Sequence, residues 1–163
     1  MPSNTRATAA SAEVMKEMSR FLVEQEFAGR TDRWELSPEF LDQAPDGFAS
    51  ALSFFSDDAF RYYLPAYLIA DIDNKLECVT PQFHLYHGLD DRTRSERINP
   101  RRYGTQTWWD CMCAKFQSFT REQADAVVQY LEWRRDSDNL DVTVIEQALT
   151  NYWRPRAAGQ DIA

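Results

Sequence analysis

Residues Asp57–Asp73 read DDAFRYYLPAYLIADID, and this run decides the fold. It packs eight large aromatic or aliphatic side chains, one arginine and one proline between paired acids. Helical spacing of three and four puts Phe60, Tyr63, Leu64, Tyr67 and Leu68 on one face and loads a second face with Tyr62, Ala66 and Ile69. A helix apolar on two faces is expected to be buried on most sides and to form the centre of the fold. Pro65 removes the backbone bond to Arg61 and predicts a kinked or split helix.

Outward from this segment the pattern stays helical. An amphipathic helix is expected from about Ser11, with Val14, Met18, Phe21, Leu22 and Phe27 near one stripe and Gly29 ending it. Ser37-Pro38-Glu39 combines a capping hydroxyl, a first-turn proline and an acid at the positive end of the dipole, which predicts a short helix through Gln43. Pro45-Asp46-Gly47 reads as a turn, and Phe48 to Phe55 as a short helix ending where Ser56 caps the central one. Thr80-Pro81 predicts a helix carrying Phe83, Leu85 and Tyr86, stopped near Gly88. Residues 89–105 read as a long polar surface loop. Thr107 to Ser118 fits a helix through Trp109, Met112, Cys113 and Phe116, and equally a strand through Trp109, Cys111 and Cys113. Thr120 with Gln123 forms a capping box, followed by Ala124, Val127, Val128 and Leu131 on one helical face to about Arg135. A last helix carries Val144, Ile145, Ala148, Leu149 and Tyr152 and is expected to end at Trp153, before Pro155.

The chain has 163 residues, enough for one core without disulfide staples, and 44% apolar with 27% charged residues is the balance of a globular protein. The expectation is an all-α or mainly α, compact single-domain multi-helix bundle over 11–154, with a kinked, buried central helix and flexible tails at 1–10 and 155–163. The three cysteines are an odd number, and a Cys-x-Cys pair such as Cys111 and Cys113 suits mutual disulfide geometry poorly. Reduced thiols, an opening stretch without the apolar centre of a secretory signal, and no long apolar window together predict a cytoplasmic protein. A net charge of -8 disfavours nucleic acid and anionic membranes as partners. The acidity is concentrated in residues 1–81, where 14 acids face 7 bases.

Three patches, AFRYYLPAYLIADI at Ala59–Ile72, FTREQADAVVQYLEW at Phe119–Trp133 and ALTNYW at Ala148–Trp153, together resemble a family of small bacterial proteins of unknown function. Their order and spacing are similar as well, and with their flanks they span most of residues 12–154. The resemblance implies a mainly helical bacterial protein and no activity. Thr107 to Ser118 is not part of that pattern.

No catalytic, metal or phosphate motif rises above chance. His84 and His87 share a helical face, and Cys111 with Cys113 could add two thiolates, but the order and spacing match no zinc signature, so packing is the better reading and no cofactor is expected. A cysteine nucleophile would need a histidine and an electropositive pocket that the pattern does not supply. Asp57, Asp58, Asp71 and Asp73 bracket the central helix, where dipole and ion-pair roles, such as Asp57 with Arg61 and Asp73 with Lys75, outweigh acid–base catalysis. Trp108 and Trp109 beside Arg101 and Arg102 are the candidate partner surface, since tryptophan and arginine dominate interfaces. The function expected is therefore a non-catalytic protein-binding role, as an inhibitor or immunity-type protein for a basic partner. The alternatives are a metal-dependent or carboxylate-using enzyme and a structural homo-oligomer such as a homodimer.

Overall fold

The structure, a computed structural model, describes residues 20–43, 50–137 and 141–162. All regular structure among the described residues is helical, with one isolated antiparallel bridge between Arg97 and Thr107 and no strand. The all-α expectation holds. The chain divides into two compact units, Met1–Thr80 and Pro81–Ala163.

The first unit is organised by the helix Asp57–Ile72, whose N-terminus is capped by Ser56 Oγ accepting the N–H of Ala59 at 3.3 Å. Phe60, Leu64 and Tyr67 are buried on its inner face, while Tyr63 and Leu68 are half-buried. Phe27, on the helical segment 20–27, lies 4.8–5.0 Å from the rings of Phe40, Phe55 and Tyr63, forming an aromatic cluster against this face. Such ring pairs add directional contacts to the burial of their area. Of the expected stripe on the first helix, Phe27 packs but Phe21 and Leu22 are exposed, and Val23 is the buried neighbour instead. The rest of that expected helix, and the turn Pro45-Asp46-Gly47, lie outside the described residues. Ser37 caps Pro38–Leu41 through the N–H of Phe40, as its sequence predicts. Of the helix expected over Phe48 to Phe55, residues 48–49 lie outside the described residues, and 50–55 hold a single 3-10 turn, Ala51–Ser53.

Two expectations for the central helix are refined. Of the kink or split expected at Pro65, the split is not found, for the helix is continuous from Asp57 to Ile72. Nor is its second face buried: Ala66 is covered, but Tyr62, Ile69 and Ile72 are 39, 48 and 47% exposed. Periodicity shows which residues share a face, and only the arrival of another element decides whether that face is covered.

In the second unit the helices Trp108–Phe116, Arg121–Ser137 and Val142–Ala148 carry the core. Trp108–Phe116 resolves the helix-or-strand ambiguity: Thr107 and Asp110 exchange backbone-to-side-chain bonds at 3.1 and 2.9 Å in a capping box. The expected box at Thr120 and Gln123 forms too, at 3.0 and 3.2 Å. The last helix does not stop at Trp153. It passes through a π-helical turn, Leu149–Trp153, into Arg154–Ala157, where Pro155 sits in a first turn that needs no N–H from it. Trp153 is fully buried with its indole N–H donating to the Leu85 carbonyl at 2.7 Å. Arg154 reaches Glu132 at 2.9 Å and Glu146 at 2.6 Å, and Glu146 also takes Arg135 at 2.6 Å; the two guanidiniums, Arg154 first, hold the Glu146 carboxyl down at about 2.

Two more expectations change. The helix after Thr80-Pro81 begins only at Phe83, with no side-chain cap from Gln82. Residues 89–105 are no plain surface loop: they hold the turns Arg92–Arg94 and Pro100–Tyr103, and Leu89 and Thr93 are buried.

Candidate functional site

The segment 30–36 is fastened onto the central helix by that helix's own polar groups. Tyr63 Oη donates to the Arg30 carbonyl at 2.7 Å, and Tyr62 Oη donates to the Thr31 carbonyl. In return, Arg33 Nη1 donates to the Tyr62 carbonyl at 3.0 Å. That carbonyl lies in the turn preceding Pro65, where the proline ring crowds the helix and turns carbonyls toward outside donors. The Arg33 guanidinium lies 4.7 Å from the Trp34 ring and 4.9 Å from the Tyr62 ring, within cation–π range of both. Its Nε is buried without a hydrogen-bond partner, so rings and one carbonyl hold this cation in place of a carboxylate.

Asp32 caps the 3-10 turn Arg33–Glu35 by accepting the Trp34 N–H at 2.9 Å. The turn leaves the indole 59% exposed. Beside it opens a groove of about 190 Å³, with Leu36, Pro38, Leu41, Ala66, Ile69 and Ala70 as its apolar lining and Arg33, Trp34, Asp73 and Lys75 at its polar edge. Lys75 Nζ pairs with Asp73 at 2.8 Å, as expected from the sequence. Trp34 and Ile69 line this groove, and Tyr62 and Ile72 are exposed on the helix that carries Ile69; these four exposed side chains are the ledge of the first unit. Exposed large apolar side chains beside a groove make it a candidate interaction surface.

The sequence pattern points elsewhere. Trp108 is half-buried against His87, ring centroids 5.2 Å apart. Trp109 is buried at 5% exposure beneath the Arg94 guanidinium, 3.7 Å from its ring, and so presents no surface to a partner. Arg101 and Arg102 are exposed on Pro100–Tyr103. His87 stacks on Phe83 at 4.8 Å, and burial lowers the His84 imidazole to about 4. Cys113, half-buried, is pushed up by burial to about 11, so its thiol is protonated near neutrality. Among the described residues, no group of three or more His, Cys, Asp or Glu is arranged to hold a metal ion. Of the helix-bracketing acids, Asp58 rather than Asp57 pairs with Arg61, at 3.3 Å, and Asp71 is buried at the far end.

Residues 16–157 match the model of a family described as a family of unknown function (DUF6714). The chain belongs to this family. No curated protein and no solved structure matches it. Membership in DUF6714 brings no activity, so the reading of the site rests on its geometry, and every residue of the ledge falls inside the matched span. Trp34 is the residue that sequence reasoning misses. Its signal is present as Asp32-Arg33-Trp34-Glu35, a tryptophan among charges with no large apolar residue three or four positions away to share a buried stripe.

Proposed function

We propose that this chain is a non-catalytic protein-binding protein, acting in the cytoplasm, that docks a basic partner through the ledge of Trp34, Tyr62, Ile69 and Ile72. The carrying observation is the exposure of these four large side chains together on a unit with 14 acids against 7 bases. Aromatic anchors next to an apolar depression are the usual energetic centre of an interface, and surrounding charge of one sign selects a partner of the other and speeds encounter. An inhibitor or immunity-type role toward a basic enzyme is the concrete form this takes. A second copy is the poorer occupant, because self-association would bring two acidic units together. Thiols outside any disulfide at Cys78 and Cys113 suit a reducing compartment. No helix among the described residues is long and apolar enough to cross a membrane.

Affinity capture from native lysate, wild type beside a Trp34→Ala/Ile69→Ser/Ile72→Ser variant, tests the reading. The expected result is a protein enriched by the wild type and lost with the variant, whose association with the purified chain slows as ionic strength rises. Equal capture by both chains would refute it, as would an interaction between two copies of this chain alone.

A further inference from the structure

Among the described residues, Arg33 carries a charge that no acid matches. Nη1 donates to the Tyr62 carbonyl at 3.0 Å, Nε is buried without a hydrogen-bond partner, and no carboxylate of a described residue lies within ion-pair distance. A buried donor without an acceptor and a cation without an anion both gain from an incoming carboxylate. The guanidinium also stands at the groove. A helix carbonyl points toward the residue four places on, so a group bonded to the Tyr62 oxygen lies over the turn of Ala66, and both Ala66 and Arg33 line the groove. The other lining charges, Asp73 and Lys75, neutralise each other at 2.8 Å. The remaining lining is largely apolar, with Leu36, Leu41 and Ile69 in it, and at about 190 Å³ the groove is smaller than the roughly 300–1,000 Å³ of small-molecule and cofactor sites. It has room for one apolar side chain.

We infer that the groove receives the last residue of the partner's chain, its aliphatic or aromatic side chain packed against Leu36 and Ile69 and its terminal carboxylate paired with the half-buried Arg33 guanidinium. This deepens the proposed function and rests on it. Charge complementarity at Arg33 chooses the occupant, and a chain terminus is the element that carries an apolar side chain and a carboxylate on one Cα. An internal aspartate or glutamate bears its carboxylate on the side chain itself and brings no apolar group beside it. Capture of a terminal carboxylate by fixed donors is a recurring mode of peptide recognition. The acids of the first unit oppose a carboxylate only weakly, since exposed charges are screened beyond about 8 Å at physiological salt while Arg33 acts in contact. Those same acids favour basic residues ahead of the terminus, which joins this mode to a basic partner.

Short peptides of one lysine–glycine body, fluorescein-labelled at the amino end, test this by anisotropy: one ending in leucine with a free carboxylate, one ending in leucine amide, one ending in serine with a free carboxylate. The leucine acid is expected to bind saturably and the other two at least about tenfold more weakly, a difference of about 1.4 kcal/mol. General attraction to an acidic unit predicts the reverse order for the first two, because the amide carries one more net positive charge. Arg33→Gln is expected to weaken the leucine acid about tenfold and to leave the amide unchanged. Arg97→Gln removes the same charge from an exposed position of the second unit and is expected to change nothing. The comparison of acid with amide uses the wild-type chain, so it decides the question even where Arg33→Gln loosens the segment 30–36. Binding of the amide or the serine peptide as tight as that of the leucine acid overturns the inference, as does equal loss in Arg97→Gln, or no binding of any peptide. A lysate partner still lost with the Trp34, Ile69 and Ile72 variant would, beside any of those outcomes, leave the proposed function standing and remove only this mode of recognition.

Discussion

Replacing Asp42 by alanine should detach the segment that leads out of the first unit. The Asp42 carboxylate accepts three consecutive backbone N–H groups, those of Glu77, Cys78 and Val79, each at 2.9 Å. A hydrogen bond to a charged group is worth about 1.5–3 kcal/mol when shielded, but water can replace the carboxylate at the exposed Glu77 and Cys78 amides, so those two contribute only a fraction of that. Val79 is 5% exposed, and its amide would lose its acceptor in a largely dry setting. The expected cost of Asp42→Ala is therefore about 2–3 kcal/mol near neutral pH, and of Asp42→Asn about half as much, because the amide keeps one acceptor oxygen and turns an N–H₂ toward the third donor. Burial pushes the Asp42 carboxyl up, yet the three N–H groups outweigh it and leave it below the ordinary carboxylate value. With the folded value depressed, the contribution is complete above the unfolded carboxylate range, near pH 4, and is lost as pH falls through the folded value. Urea unfolding across pH measures the difference, and hydrogen exchange at the amides of 77–79 locates it. A difference under about 0.5 kcal/mol near pH 7, or one that survives acidification well below pH 3, would refute this reasoning.

Three further outcomes are expected. Tyr67→Ala should cost about 3–5 kcal/mol by urea unfolding, whereas Tyr67→Phe should be neutral or stabilising by up to about 1 kcal/mol, because the buried Tyr67 hydroxyl has no hydrogen-bond partner to lose. Gly88→Ala and Gly29→Ala both place a side chain at positive φ, +81 and +74, but a Cβ at Gly88 would meet Met112 Cγ at 2.6 Å while Gly29 has nothing within 4 Å. Gly29→Ala should thus cost about 1–2 kcal/mol and Gly88→Ala about 2–4 kcal/mol, and equal costs would show that Met112 yields freely. His84 is held neutral by burial, with its folded value near 4, so only the unfolded chain takes up its proton as pH falls below the usual histidine value. Stability should therefore decline between about pH 6.5 and pH 4, and a melting temperature in His84→Gln that declines just as steeply would assign the effect to other groups.

Local chemistry is legible in the residues alone. The caps at Ser37 and Ser56 and the box at Thr120 and Gln123 form as expected, because each needs only one side chain within three residues of an unpaired N–H. The box at Thr107 and Asp110 obeys the same rule, yet the alternation of Trp109, Cys111 and Cys113 hides it behind a competing strand period. Pro155 reads as a stop, whereas the π-helical turn before it lets the chain restart with proline in a first turn. Two tryptophans trade roles for a non-local reason. Trp109 is covered by Arg94, fifteen positions earlier in the chain, while Trp34 is held outward by a turn that Tyr62 and Tyr63 fasten from the central helix. Helical class, caps and the inner face of Asp57–Ile72 follow from residue order, since these depend on periodicity and on neighbours within a turn. The open outer face and the groove beside Trp34 follow from packing between segments distant in the chain. Burial of a side chain is settled by what the rest of the chain brings against it, and no local pattern carries that information.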